Sequence, residues 1–155
     1  MKKRFILMVA VVSFLYNCGP KPSANSDNII KEREAYVSEV NKSQLETKVV
    51  EGALTDISGS KDIGRFKLTY YYDKATNTLV RVENIENTSK AVTENFYFEN
   101  KDLLYISTKT DDAGTKKLYV YKGDVVNSTD LDTDYKKILL DKSQIFKKDF
   151  RKIDE

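Results

Sequence analysis

The sequence predicts an α+β domain, an antiparallel meander of about six strands built from three hairpins and flanked by an N-terminal and a C-terminal amphipathic helix. Apolar residues recur with a period near 3.6 at both ends of the chain and alternate with period 2 in the middle. Three strand–turn–strand units follow one another in that middle part. A helix with one apolar stripe and a sheet with one apolar face bury both surfaces by packing together.

The first predicted helix runs from about Asp27 to Leu45, and Ser26 or Asp27 can cap its N-terminus. Its apolar side chains fall on one stripe of a 3.6-residue period. They are Ile29, Ile30, Tyr36, Val37 and Val40. Charged residues take the opposite side, so this helix is expected to pack on a core.

The three hairpins begin near Tyr70, Phe96 and Tyr119. Their turns are predicted at 73–77, 100–102 and 123–124, where Asp, Asn and Gly favour a chain reversal. An additional strand is plausible over Thr47 to Asp56, whose valines and leucine favour extended backbone.

The C-terminal segment is predicted to be helical after Asp132 or Thr133, either of which can serve as its N-cap. Its apolar stripe consists of Tyr135, Ile138, Leu139, Phe146, Phe150 and Ile153. The polar pair Ser143–Gln144 leaves open a division into two shorter helices. The basic residues of its other side are Lys136, Lys137, Lys142, Lys147, Lys148, Arg151 and Lys152. That face is either solvated or placed on an anionic membrane surface.

The composition excludes several kinds of chemistry. The 155 residues include no histidine, so imidazole-based acid–base and triad chemistry is excluded. A single cysteine excludes zinc ribbons, intramolecular disulfides and CxxC redox motifs. No cofactor is expected.

The N-terminus has the pattern of an export signal. A basic start at Lys2, Lys3 and Arg4 precedes an apolar run from Phe5 to Tyr16, which is too short to cross a bilayer. The run ends at Leu15-Tyr16-Asn17-Cys18, which resembles the lipobox of bacterial lipoproteins in a relaxed form. This resemblance implies cleavage before Cys18 and acylation of that cysteine.

Three segments follow from this interpretation: a signal peptide at 1–17, the lipidated Cys18 with a flexible tether over 18–26, and a single domain at 27–155. The tether carries both prolines of the protein. Removal of 1–17 leaves 23 cations and 24 anions, a balance that predicts no nucleic-acid partner. The resemblance implies a lipid-anchored envelope protein, at the outer membrane or cell surface rather than the inner membrane, because Gly19 replaces the aspartate that retains some lipoproteins there.

Two short motifs match known functional patterns only in part. Asp130, Asp132 and Asp134 resemble the opening of a calcium loop, but Tyr135 stands where such a loop needs glycine, so a polar loop and N-cap are favoured and no metal is expected. Ser58-Gly59-Ser60-Lys61 matches the S-x-x-K nucleophile motif, but the partner elements of that motif are missing.

The candidate binding face is a tyrosine row, defined as Tyr71, Tyr97, Tyr119 and Tyr121. If the alternate strand residues face the core, these four point away from it. Exposed tyrosines of this kind suit an envelope protein or a glycan as the partner. The alternatives are that these tyrosines are ordinary strand residues, or that a helix covers them.

The sequence as a whole favours a small cell-envelope lipoprotein whose domain is a non-catalytic binding or structural module. The first alternative is a carboxylate-dependent hydrolase of envelope glycans, because two acidic residues can perform glycoside chemistry without histidine. The second alternative is a protein inhibitor. An open sheet with exposed tyrosines would favour the binder, and a cleft with two carboxylates would favour the enzyme.

Overall fold

A computed structural model describes residues 26–56 and 58–153. The predicted signal peptide, Cys18 and nearly all of the tether lie outside these residues. The elements are α1 (Ser26–Val40), β1 (Glu46–Thr55), β2 (Asp62–Asp73), β3 (Thr78–Asn87), β4 (Ala91–Glu99), β5 (Asp102–Thr110), β6 (Ala113–Tyr121), β7 (Asp124–Ser128) and α2 (Thr133–Ile153). Neither helix of the described residues is long and apolar enough to cross a membrane.

The strands form one antiparallel sheet in the order β1-β2-β3-β4-β5-β6-β7, so each strand pairs with its neighbours along the chain. The three predicted hairpins are β2–β3, β4–β5 and β6–β7. The α+β meander is therefore confirmed. The number of strands is seven, because the plausible strand at Thr47 to Asp56 forms as β1 and pairs along its length with β2.

Two of the hairpin turns are tight. Asn100 and Lys101, between β4 and β5, have φ values of 51° and 71°. Lys122 and Gly123, between β6 and β7, have φ values of 52° and 87°. Two successive residues with positive φ match the right-handed twist of antiparallel strands, which is the reason two-residue loops adopt this form.

Both faces of the sheet are covered, which corrects the expectation of a single apolar face. The central strands carry consecutive buried residues, such as Phe96–Phe98 on β4 and Leu103–Ile106 on β5. Such runs are typical of strands with a hydrophobic layer on each side. Helix α2 packs on one face and α1 on the other, so the domain has three layers.

The larger core lies between the sheet and α2. Its sheet side chains include Tyr70, Phe96, Phe98, Leu118 and Val120, as the alternation predicted. From α2 come Leu139, Phe146 and Phe150. The rings of Phe96 and Phe146 meet edge to face at 5.1 Å. Each aromatic side chain of this size buries about 150–250 Å².

Both helices differ in extent from the prediction. Helix α1 ends at Val40 rather than Leu45, because the backbone closes into a turn in which the amide of Ser43 donates to the carbonyl of Val40. Helix α2 is continuous through Ser143, which is buried and donates from Oγ to the carbonyl of Leu140 at 2.6 Å. The hydroxyl is satisfied within the helix, so no break is needed.

Candidate functional site

The predicted tyrosine row lies on the sheet face opposite the larger core. The register places Tyr71, Arg81, Tyr97, Tyr105 and Tyr119 side by side across β2 to β6. Neighbouring strands are about 4.8 Å apart, so adjacent rings in this line touch. The ring centroids of Tyr97 and Tyr105 are 5.6 Å apart, and those of Tyr105 and Tyr119 are 5.2 Å apart.

The structure corrects the expectation that the tyrosine row is exposed. Tyr97 and Tyr119 are each 3% exposed, because α1 lies across them. Tyr105 completes this buried cluster and was missing from the prediction. It was missed because Leu103 to Ile106 is an uninterrupted apolar run, in which alternation gives no facing direction.

Polar contacts hold α1 on these tyrosines. Glu34 Oε1 accepts hydrogen bonds from the Tyr119 hydroxyl and from Lys117 Nζ, each at 2.8 Å. The bond from Lys117, followed by that from Tyr119, lowers the pKa of the Glu34 carboxyl. The Tyr36 hydroxyl donates to the carbonyl of Phe98. Helix α1, rather than a partner molecule, therefore covers the centre of the tyrosine row.

Tyr71 and Tyr121, the outer members of the predicted row, are half-buried and lie beside cations. The Arg81 guanidinium is 4.7 Å from the ring centroid of Tyr71. The Arg33 guanidinium is 5.9 Å from that of Tyr121. The cation–π geometry gives these tyrosines partners within the fold.

Arg81 joins the sheet to the end of α1. Its Nη2 donates to Asn95 Oδ1 at 2.6 Å and to Glu83 Oε1 at 2.8 Å. Its Nη1 donates to Asn41 Oδ1 at 3.2 Å, and the same oxygen accepts from the Tyr97 hydroxyl at 3.0 Å. These hydrogen bonds fix the turn after α1 against the sheet.

Two cavities of about 430 Å³ lie in the described residues, one beside α1 at Glu34 and Tyr105 and the other on the opposite side of the sheet, at the C-terminal end of α2. This α2 cavity has a volume of about 430 Å³. It is lined by Asn77, Thr78, Leu79, Phe98, Lys101, Lys147, Phe150 and Arg151. The volume is within the range of about 300–1,000 Å³ that is typical of small-molecule sites.

The floor of the α2 cavity is apolar. Leu79 of β3, Phe98 of β4 and Phe150 of α2 are 8%, 1% and 4% exposed, so their side chains are held by the core beneath. The Phe150 ring also packs on Tyr70 and Tyr72, at centroid distances of 5.9 and 5.5 Å. These contacts hold the floor side chains in the core of the domain.

The rim of the α2 cavity is cationic. Lys147 and Arg151 lie one helical turn apart on α2, and Lys101 comes from the turn between β4 and β5. Lys147 Nζ donates to the carbonyl of Lys101 at 3.0 Å, which ties the helix to the turn. Among the described residues that line the cavity there is no carboxylate.

The most buried carboxylate lies elsewhere, between the sheet and the middle of α2. Glu94 is 1% exposed and accepts hydrogen bonds from Lys142 Nζ, Asn84 and Tyr135 at 2.8, 2.9 and 3.0 Å. Lys142 also pairs with Glu86 at 2.8 Å. Burial would raise the pKa of Glu86, but the hydrogen bonds from Lys142 and Asn84 lower it. Glu86, with its lowered pKa, is a poor candidate for a general acid, and Glu94 is already engaged by three hydrogen-bond donors.

The acidic segment from Asp130 to Asp134 and the Ser58-Gly59-Ser60-Lys61 segment have structural roles. Asp132 Oδ1 accepts the backbone amide of Tyr135 at 2.8 Å, which is an N-cap bond at the start of α2. Within the described residues, no group of acidic or other ligand side chains could hold a metal ion. Ser58 Oγ donates to Asp56 Oδ1 at 2.8 Å in an exposed loop.

The sequence predicts only part of the α2 cavity. It places Lys147 and Arg151 on a basic helix face but gives no sign that they line a site. The turns that supply Asn77 and Lys101 were predicted, yet nothing local indicates that they meet α2. The chain matches no protein-family model, no curated protein and no solved structure.

Proposed function

We propose that this protein is a small cell-envelope lipoprotein, anchored through an acylated Cys18, whose domain is a non-catalytic binding module. The observation that carries the binding role is the α2 cavity, with its rigid apolar floor and cationic rim. The basic start, the short apolar run and the lipobox-like Leu15 to Cys18 support the anchor. Several acyl chains at about 0.8 kcal/mol per buried CH₂ give a stable attachment.

The residues between Cys18 and α1 suit this arrangement. They are small, polar and proline-bearing, and a spacer of this composition extends by about 3.1 Å per residue. The domain would then stand up to roughly 25 Å from the acyl chains. It would be free to meet molecules at the membrane surface.

Binding is favoured over the hydrolysis of glycans by the placement of the acidic residues. A glycosidase needs two carboxyl groups about 5–9 Å apart across a cleft. The described lining of the α2 cavity supplies cations instead, and Glu86 and Glu94 are engaged by Lys142. This arrangement suits the recognition of an anion.

The anchor is tested by expressing the full chain and Cys18→Ala in bacteria, with metabolic labelling by palmitate and fractionation of membranes. The wild type is expected to carry label and to sediment with membranes, and Cys18→Ala to carry none. Asn17→Ala is the matched control, because a small residue before the cysteine suits the lipobox, and it should keep the label. A wild-type chain without palmitate would overturn the anchor.

A further inference from the structure

We infer that the α2 cavity binds an amphiphilic anion, a molecule with an apolar chain and one carboxylate or phosphate head group. This inference rests on the proposed binding role and names the class of ligand.

The floor accounts for the apolar part of the ligand. Leu79, Phe98 and Phe150 line the cavity, and each is less than a tenth exposed, so the core already holds them in place. An alkyl or acyl chain that enters the cavity removes its own apolar surface from water, at about 25 cal/mol per Å² of apolar area removed. The floor is built before the ligand arrives, so little ordering of the protein opposes binding.

The rim accounts for the anion. Lys147 and Arg151 are like charges four residues apart on a helix, an arrangement that destabilises a helix by about 0.2–0.5 kcal/mol. Lys101 adds a third cation from the facing turn. A single anionic head group relieves this repulsion, and Lys and Arg both donate well to carboxylate and phosphate oxygens.

The turn between β4 and β5 brings Lys101 to the mouth of the cavity. Lys101 has a φ of 71°, as the second position of this tight two-residue turn requires. Here the turn aims the Lys101 carbonyl at Lys147 and places the Lys101 side chain in the lining of the cavity.

Two polar residues lie beside the cationic rim. Asn77 and Thr78, at the turn between β2 and β3, line the same cavity. The Thr78 hydroxyl donates to the carbonyl of Thr76 at 3.4 Å, so these residues add polar surface next to the cations. A cationic amphiphile would meet three like charges here, and a neutral alcohol would use only the floor.

Photoaffinity labelling of the full-length protein in isolated envelopes tests the inference. Three probes share one decyl-length chain with a diazirine and an alkyne, and end in a carboxylate, a phosphate or a hydroxyl group. We expect one or both anionic probes to label peptides that contain Phe98 or Phe150 about tenfold more than the alcohol. The carboxylate and phosphate arms then identify the head group. Equal labelling of these peptides by all three probes would overturn the inference.

Charge reversal at selected positions of α2 shows whether labelling depends on the cations that line the cavity or on the overall charge of the helix. Lys147→Glu with Arg151→Glu should reduce labelling by the anionic probes about tenfold. Lys137→Glu with Lys148→Glu makes the same change of charge at exposed positions of α2 that do not line the cavity, and should leave labelling unchanged. Labelling that persists in the first pair contradicts the assignment. If the first pair fails to fold, Lys147→Gln with Arg151→Gln tests the same rim without added repulsion.

Palmitate on Cys18 is measured in the same samples, so the two proposals fail separately. A chain that carries palmitate but takes up no anionic probe at the cavity overturns the ligand class and leaves the anchor standing. A chain that binds the probe but carries no palmitate overturns the anchor and supports the ligand class.

Discussion

The ammonium of Lys142 on α2 lies 2.8 Å from a carboxylate oxygen of Glu94 on β4, a side chain that is 1% exposed. Burial would lower the pKa of Lys142, but Glu94 and Glu86 together raise it, so the lysine stays charged. This ion pair connects the middle of α2 to the centre of the sheet.

Replacing Lys142 with methionine should destabilise the protein by about 3–5 kcal/mol, because it leaves the carboxylate of Glu94 buried without its cation. The free energy of unfolding in urea measures this loss. Lys148→Met, an exposed position on the same helix, should change it by less than about 0.5 kcal/mol. Adding Glu94→Gln to Lys142→Met should recover part of the loss, and strictly additive losses would contradict the coupling.

The buried tyrosine cluster predicts a loss of stability at alkaline pH. Burial raises the pKa of Tyr105 to about 12, from an ordinary value of 10.0. The unfolded chain releases this proton near pH 10 and the folded protein holds it to about pH 12. The stabilisation is therefore complete below pH 10 and is lost as pH rises towards 12, by up to about 1.4 kcal/mol per pH unit.

Urea unfolding between pH 9 and pH 11.5 measures how steeply the free energy of unfolding falls with pH. Tyr105→Phe removes the hydroxyl and should show a shallower decline than the wild type above pH 10. Tyr119, whose pKa burial and the hydrogen bond to Glu34 also raise to about 12, should behave in the same way on replacement by phenylalanine. Equal slopes in wild type and both variants would show that other groups, such as lysines, govern alkaline unfolding.

The close approach at Gly64 predicts a strong effect of a single methyl group. A Cβ at this position would lie 2.1 Å from the backbone oxygen of Asn87, which the pairing of β2 with β3 holds in place. Gly64→Ala should therefore cost about 1–3 kcal/mol. Gly114→Ala is the control, because a Cβ there meets nothing within 4 Å. Thermal unfolding measures the stability of both variants. Similar melting temperatures for the two would contradict the prediction.

The strained turn at the cavity predicts a gain in stability at the expense of binding. Lys101→Gly should stabilise the fold by up to about 1 kcal/mol, since glycine adopts a φ of 71° without the clash of a Cβ. The same variant removes one cation of the rim and should weaken labelling by the anionic probes. Urea unfolding and probe labelling measure the two effects. A loss of stability would show that the side chain of Lys101 supports the fold itself.

The cap of α2 gives a local prediction. Asp132→Ala removes the acceptor of the Tyr135 amide and should cost about 1 kcal/mol of stability. Asp132→Ser retains a capping oxygen and should preserve most of it. The urea midpoint of each variant is the measurement, and equal losses in both would assign the effect to the charge of Asp132.

The elements themselves could be predicted because they depend on near neighbours in the chain. Period-2 alternation on β2 and turn residues between the hairpin strands predicted the meander. The apolar stripe of α2 and its N-cap at Asp132 also depend only on residues near each other in the chain. The break at Ser143 was left open because a buried serine that bonds back to Leu140 has the same sequence signature as a helix end.

The tyrosine face and the α2 cavity depend on contacts between distant segments. Tyr97 and Tyr119 point away from the larger core, as alternation implied, yet only the docking of α1 decides that they are buried. Lys101 and Lys147 are 46 residues apart and meet because the strand register and an unbroken α2 bring the turn to the end of the helix.

The sequence by itself thus determined the strands and the helices, because each depends on the spacing of neighbouring residues. The tertiary structure decided that both faces of the sheet are covered and where the cavity lies, because both follow from packing between elements that are far apart in the chain.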